Sequence, residues 1–300
     1  MSETLTIFTP AFNRAHTLLR TYQSLCRQTC QDFEWLIVDD GSTDNTKELV
    51  DGWIEENKIS IRYIHQENQG MHGAHNMAYR NITTELNTCI DSDDYMPDDA
   101  VEKIVSLWRE KGSEKYAGII GLDAKINGSI IGQKFLTDLE ETTLRGYYED
   151  LHGTGDKKLV YRTDVITKYP EYPLFKGEKY FALAYKYYMV DCDYPLLVSN
   201  DIYVIVDYQK DGSSMGMWKQ YWNNPKGFAF FRRFDMMQTK SIKRKWIDNI
   251  HYVSHSIRFK NIHFLKESPM KIMTFFSIVP GLVLYEVNRY KVKVGKLYKV

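Results

Sequence analysis

Three hundred residues, 43% of them apolar, make a chain long enough to bury a large core without help from disulfides. Its 39 Lys and Arg balance 39 Asp and Glu, and the composition is ordinary apart from a high aromatic share led by 22 tyrosines. The most apolar stretch, "IMTFFSIVPGLVL", is broken by Pro280 and Gly281 and falls short of the roughly 20 residues a bilayer-spanning helix needs, which excludes a spanning segment there.

The first hundred residues alternate two patterns. "LTIFTP" predicts a short strand ending at a proline, and "RAHTLLRTYQSLCRQ" puts Leu18, Leu19, Tyr22, Leu25 and Cys26 at helical spacing. "FEWLIVDD" predicts a second, buried strand. "GSTDNTKELVDGWIEEN" follows, with Ser42, Thr43 or Asp44 available to cap a helix whose face carries Leu49, Val50, Trp53 and Ile54. "ISIRYIHQ" and "GMHGAHNMAYRNI" give a third strand and helix; "ELNTCID" and "PDDAVEKIVSLWRE" give a fourth pair. Beyond residue 115 the pattern loosens. "YAGIIGLDA", "SIIGQKF" and "DKKLVYRTDVI" predict strands, "GEKYFALAYKYYMV" a helix, and "PLLVSNDIYVIVDYQ" two strands around a turn. From about Met217 onward the sequence reads as helical, basic and aromatic.

Strand–helix alternation with buried strands predicts a mainly parallel sheet wrapped by helices, an α/β architecture that binds ligands at the carboxyl ends of its strands. "TPAFNR", "DDGSTD" and "DSDD" each stand where a strand ends, so this topology gathers them on one edge. Carboxylate clusters such as "CIDSDDYMPDD" bind hard divalent ions, and Mg²⁺ takes one or two carboxylates plus substrate phosphates. Asp91 and Asp93, two apart, project alike. The blander alternative is a turn capped by its own aspartates. Asp39 and Asp40 stand at a strand end where a carboxylate accepts hydrogen bonds from a base or ribose, with Gly41 permitting the sharp turn.

Charge is unevenly distributed. Met215 to Val300 holds 17 Lys and Arg against 4 Asp and Glu, a net of about +13, with Trp218, Trp222 and Trp246 among them. Such a region fits anionic lipid headgroups, nucleic acid, or docking on an acidic domain. A nucleic-acid binder explains the basic tail but not the acidic strand-end clusters. The four cysteines (Cys26, Cys30, Cys89, Cys192) lack metal-ligand spacing; with no signal peptide in view they imply reduced thiols in a cytoplasm.

"TPAFNRAHTL", "DFEWLIVDDGSTDNT", "ENQGMHGAHN" and "IDSDDYMPDDAV", in that order, resemble the landmarks of the family-two glycosyltransferases, inverting enzymes of GT-A fold that use nucleotide sugars. The likeness is strong over residues 4 to 110 and looser to about 215. It implies a glycosyltransferase domain over 1–214, with 1–110 the nucleotide-sugar half and 111–214 the acceptor half, followed by a basic helical extension at 215–300. By that resemblance Pro10, Phe12, Asn13 and Arg14 cradle uracil, and Asp40, with Asp39 beside it, accepts from the base. Asn68, Gly70, His75 and Asn76 line the ribose and diphosphate; His75 stands where the family carries a more basic residue. Asp91 and Asp93 match the DxD motif that holds Mg²⁺ or Mn²⁺, Asp93 being the direct ligand.

An inverting transfer needs a general base. The family's acid in a GED-like motif corresponds here to Glu178 in "GEK", with Lys179 replacing an aspartate; Asp191 and Asp193 are rivals. Asp156 is a candidate for the acceptor site, and Asp211 and Ser214 for the diphosphate. The implied reaction is inverting transfer from a UDP-hexose or UDP-N-acetylhexosamine to a saccharide acceptor; the basic, aromatic region 215–300 points to a lipid-linked one, as in capsule, exopolysaccharide or O-antigen assembly. The implied place is the inner face of the cell membrane, with peripheral contact through 215–300 and no nucleic acid; a homodimer through that region is the other use for it. The alternatives are a nucleotidyltransferase, for which "TPAFNRAHT" lacks a Gly-rich triphosphate loop, and a non-catalytic nucleotide- or saccharide-binding module.

Overall fold

A computed structural model describes residues 3–207 and 217–297, and the chain divides into two compact units. The first comprises Met1–Glu171 with Lys186–Gln209, the second Tyr172–Tyr185 with Lys210–Val300. Residues 111–214, expected as one half of a domain, are therefore divided: the segment carrying Glu178 counts with the second unit.

The first unit runs β1 (Leu5–Ala11), α1 (Ala15–Cys26), β2 (Phe33–Asp39), α2 (Thr46–Glu56), β3 (Ser60–His65), α3 (Met71–Asn81), β4 (Leu86–Cys89) and α4 (Ala100–Lys111). It continues with β5 (Gly118–Lys125), β6 (Glu141–Thr142), α5 (Leu144–Glu149), β7 (Lys157–Arg162), α6 (Thr163–Ile166), α7 (Ala184–Val190, whose first two residues count with the second unit) and β8 (Leu196–Val206). The described strands form one eight-stranded sheet in the order β3-β2-β1-β4-β7-β5-β8-β6. β1 to β4 pair in parallel, β7 joins β4 and β5 antiparallel, and β8 pairs parallel with β5.

The parallel half is held by side chains read from its apolar runs. Trp35, Ile37, Leu18, Leu25 and Val50 are fully buried between sheet and helices. Tyr22 of α1 stacks on Trp53 of α2 at 4.4 Å and on Trp35 of β2 at 6.3 Å, which clamps both helices to one sheet face. Asn57 ends α2 in the left-handed region, where asparagine tolerates positive φ.

Three expectations fail in the looser half. The helix expected over "GEKYFALAYKYYMV" begins only at Ala184, so Glu178 precedes it on an irregular segment. "SIIGQKF" contributes a bridge at Ile130 and no strand. "LLVSNDIYVIV" is one strand rather than two, because its turn-like "SND" is absorbed as a bulge in the register against β5. There the Asn200 amide grips the backbone of Phe135 through both its oxygen and its nitrogen.

The second unit holds α8 (Met217–Asn223), α9 (Pro225–Gln238), α10 (Ile242–Arg258), α11 (Phe264–Glu267), α12 (Lys271–Phe276) and α13 (Ile278–Leu297). Pro225 opens α9 and Ser241 caps α10, accepting from Arg244 N at 3.3 Å. Between α9 and α10 the Arg232 guanidinium donates to the fully buried Asp248 carboxylate at 2.7 Å. None of the described helices is long and apolar enough to cross a membrane.

Candidate active site

Parallel pairing of β1, β2, β3 and β4 brings the loops after them to one edge, and these loops are sewn to each other. After β1, Asn13 adopts φ 55°, donates through its N–H to Ser42 Oγ at 2.8 Å and accepts from Thr43 N at 2.7 Å. After β2, Asp40 accepts from Gln66 Nε2, Gln69 N and Gly70 N at 2.6–2.7 Å, so its carboxylate holds the loop that follows β3. Asp39 accepts from Ser42 N at 2.8 Å and from the Tyr63 hydroxyl. Gly41 is required twice over: its φ is +83°, and a Cβ would meet Asn68 N at 3.0 Å. Phe12 stands 47% exposed at the end of β1, a large aromatic ring on this edge that faces solvent.

These contacts set a first expectation. Asp40→Ala strands two backbone N–H groups, one of them on buried Gly70, and should cost about 3–5 kcal/mol of unfolding free energy in a urea titration. Asp40→Asn, which keeps an acceptor oxygen, should cost less.

The loop after β4 carries the acids. Asp91, Asp93 and Asp94 each offer an oxygen within 4.8 Å of the others, the sole such group of three among the described residues. Asp94 N closes the turn onto Asp91 O at 3.0 Å, and Thr21 Oγ1 donates to Asp94 O at 2.7 Å. Arg20 donates to Asp93 O and pairs with Asp207 at 2.8 Å, while Asp207 N donates to Asp94 Oδ1 at 3.0 Å. Burial, then repulsion from Asp91, raises the Asp93 carboxyl above its ordinary range, with Arg14 opposing. The same two causes push Asp94 up to about 7. A dense set of hard oxygens whose mutual repulsion Arg14 and Lys158 only partly offset is the donor set that Mg²⁺ or Mn²⁺ favours, so the residues fit such an ion.

Two residues not singled out in the sequence lie beneath this cluster. Lys158 of β7 donates to Cys89 O at 3.1 Å; burial lowers its ammonium, but Asp123 and Asp91 more than reverse this and hold it above its ordinary value. Asp123 of β5 is buried, its carboxyl pushed up to about 6 chiefly by burial, and no described residue hydrogen-bonds its Oδ1. The signal was present: an acid inside the apolar run "GIIGLDAK" needs a reason.

His75 and Asn76, expected along the diphosphate, are placed in the core instead. The His75 ring is fully buried on α3, edge-on to Phe8 at 4.9 Å, with its Nε2 3.6 Å from Cys89 Sγ. Burial drops its pKa to about 3. Because the unfolded imidazole protonates near 6.5, native stability is present above that pH and is lost as pH falls toward 3, by up to about 1.4 kcal/mol per pH unit. The difference in unfolding free energy between the unaltered protein and His75→Leu should therefore shift with this slope between pH 6.5 and 4.5. A flat difference would mean the ring is not held neutral.

Glu178, in the second unit, is buried and accepts from Lys226 N at 2.9 Å and Gly227 N at 2.8 Å, the free amides at the start of α9. In return Asn224 Oδ1 accepts from Lys179 N and Tyr180 N. Burial raises the Glu178 carboxyl, and the two amides oppose the shift. Of the rivals in the first unit, Asp191 accepts from Leu144 N and Arg145 N at the start of α5, with its carboxyl pushed up to about 6 by burial, and Asp193 accepts from the Tyr169 hydroxyl at 2.6 Å. Asp156 is exposed after a Gly-containing turn, and Asp211 and Ser214 lie outside the described residues.

A mixed sheet whose parallel half carries an acid cluster after its fourth strand is the architecture of the GT-A fold. Residues 6–167 match the family described as Glycosyl transferase family 2, and the chain belongs to that family. It is similar to the glycosyltransferase GlyG of Streptococcus pneumoniae, 33% identical over 119 residues, which is 39% of each protein. The chain thus spans well under half the length of that relative. Among solved structures it resembles S. aureus TarS 1–349 in complex with UDP-GlcNAc, with TM-score 0.62 at 16% identity, covering 97% of this chain and 92% of that one. It also resembles the mannosyltransferase PcManGT of Pyrobaculum calidifontis in complex with GDP-Man and Mn²⁺, with TM-score 0.55 at 15% identity, covering 99% and 81%.

Proposed function

We propose that this protein transfers a sugar from a UDP-sugar to a saccharide hydroxyl with inversion, aided by a divalent ion. The observation that carries this reading is the acid triplet Asp91, Asp93 and Asp94 after the fourth of four parallel strands whose ends share one edge of the sheet. Phe12, with Pro10, Asn13 and Arg14, offers a ring and a backbone edge to the base, and Asp39 and Asp40 stand at the end of the neighbouring strand. Asn68 and Gly70 sit on the loop that Asp40 fixes and are the residues we assign to the ribose and diphosphate. Asp93, with Asp91, would hold Mg²⁺ or Mn²⁺, which when bound neutralises charge developing on the departing diphosphate. Arg14, which faces Asp93 electrostatically, adds a positive charge to that edge.

In the transfer, a base takes the proton of the acceptor hydroxyl, its oxygen bonds to the anomeric carbon, and the bond to the diphosphate breaks with its electron pair leaving on UDP. The resemblance assigns the base to Glu178. An α-linked donor then gives a β-linked product. The TarS complex with UDP-GlcNAc supports UDP as the nucleotide, and the PcManGT complex with Mn²⁺ supports a metal-aided transfer. The basic second unit supports a lipid-linked acceptor reached at the cytoplasmic face of a membrane, in bacterial surface-polysaccharide assembly.

Incubation with UDP-, GDP- and dTDP-sugars, Mn²⁺ or Mg²⁺ and a lipid extract should release UDP from one UDP-sugar. Release from GDP- or dTDP-sugars alone would overturn the donor assignment. Use of the Glu178 carboxylate as an anchor for α9 favours one second reading, a nucleotide-binding module without turnover; binding of UDP with no release from any sugar is the result it expects.

A further inference from the structure

Along α12 and the first turns of α13, the buried positions are small or polar and most of the exposed ones are apolar. Thr274, Ser277 and Asn288 are buried, and Thr274 Oγ1 lies 2.6 Å from Ser268 Oγ and also donates to Asn249 Oδ1 of α10. Gly281 brings α13 so close to α10 that a Cβ there would meet Val253 at 2.5 Å. The opposite face carries Ile272, Phe275 and Phe276 on α12 and Val279, Val283 and Val287 on α13, each between 41% and 78% exposed. On α13 these valines follow helical spacing, so they form one stripe. A groove of about 550 Å³ opens beside them, lined by Ile262, Leu265, Ile272 and Phe275 together with Lys266 and Lys271.

Water-soluble helices place polar residues outward; the reverse is stable where the outer medium is apolar. A contiguous exposed patch of this kind marks a binding surface. Its charge identifies the occupant. From Lys260 to Lys296 the sequence holds seven Lys and Arg against two Glu, with Lys266 and Lys271 lining the groove itself. Two copies meeting through this face about a two-fold axis would bring those cations together, whereas an anionic bilayer surface attracts them while its acyl region takes the phenylalanines. We propose that α11, α12 and the first turns of α13 form a membrane-surface anchor, with Phe275 and Phe276 inserted below the headgroups of anionic lipids and Lys266 and Lys271 at phosphate level. The inference deepens the membrane part of the function proposed above, and rests on it.

The test is co-sedimentation of the full chain with vesicles of phosphatidylcholine alone and of phosphatidylcholine mixed with phosphatidylglycerol. The unaltered protein should bind the mixed vesicles, more weakly at high salt. Phe275→Ser with Phe276→Ser should weaken partitioning at least about tenfold. Lys266→Gln with Lys271→Gln should remove the preference for phosphatidylglycerol. All four side chains are exposed, and unchanged circular-dichroism melting confirms that the variants fold. Failure of the unaltered protein to bind, equal binding by both double variants, or a dimer in light scattering that the phenylalanine variant breaks would each overturn the proposal. Vesicle binding needs neither donor nor turnover, so its failure leaves the transfer chemistry standing, and an inactive protein that binds vesicles leaves the anchor standing.

Discussion

Asp93→Ala is expected to lower sugar-donor turnover by about 10³-fold, the equivalent of roughly 4 kcal/mol of transition-state stabilisation. Chelation with EDTA should do the same to the unaltered protein and nothing further to the variant, because both would remove the divalent ion proposed to stand beside the leaving diphosphate. Stability should move the other way. Burial and the Asp91 charge disfavour the ionised Asp93 carboxylate, so alanine relieves repulsion in the metal-free protein. Without metal, thermal melting should therefore be no lower in Asp93→Ala than in the unaltered chain, and added Mn²⁺ should raise the melting temperature of the unaltered chain alone. Equal turnover of the two proteins at saturating Mn²⁺ would remove Asp93 from the metal site.

Glu178→Gln separates the proposed base from the anchor seen in the structure. As the proposed general base Glu178 would supply about 10²–10⁴-fold in rate, which the amide removes. As the anchor of α9 it supplies two acceptor oxygens to Lys226 N and Gly227 N. Glutamine keeps one acceptor and turns an N–H toward the other amide, a mismatch that should cost about 1–3 kcal/mol in urea unfolding. Both losses are expected together. A destabilised variant with normal turnover at low temperature would leave Glu178 as an anchor only, and Asp191 would become the next residue to test. Asp191→Asn makes the converse comparison, since its two oxygens hold the start of α5 in the same manner.

Much of the parallel edge was legible in the chain. Short apolar runs ending in "TP", "DDGS" and "DSDD" predict parallel strands with polar clusters at one end, and β1, β2 and β4 end there. Local pattern failed where tertiary pairing decides. "SND" carries turn residues, yet its ladder with β5 continues past it as a bulge. His75 looks like a phosphate ligand from its place before Asn76, but helix α3 turns that position toward Phe8 and the sheet. Asp123 and Lys158 are about 35 residues apart in sequence and meet through antiparallel pairing of β5 with β7, which no spacing within either segment reveals. Glu178 reads as the head of its own helix, whereas the amides it satisfies begin α9, nearly fifty residues on. The apolar run near Phe275 announced itself by composition; which of its residues point outward depends on how α12 and α13 pack on α10.

The seam of the sheet has a consequence for how the chain is made. β4 pairs with β1 on one side and, on the other, only with β7, whose Tyr161 backbone accepts from an Asn87 side chain 74 residues earlier. During synthesis, β1 to β4 can assemble while β7 is still to come, leaving β4 an open edge with unpaired backbone groups and three repelling aspartates just beyond it. Arrival of β7 closes that edge and delivers the Lys158 ammonium beneath the acids in one step. A nascent chain stalled between residues 115 and 160 should be the aggregation-prone species, and a folding helper that recognises exposed strand edges would act in that interval.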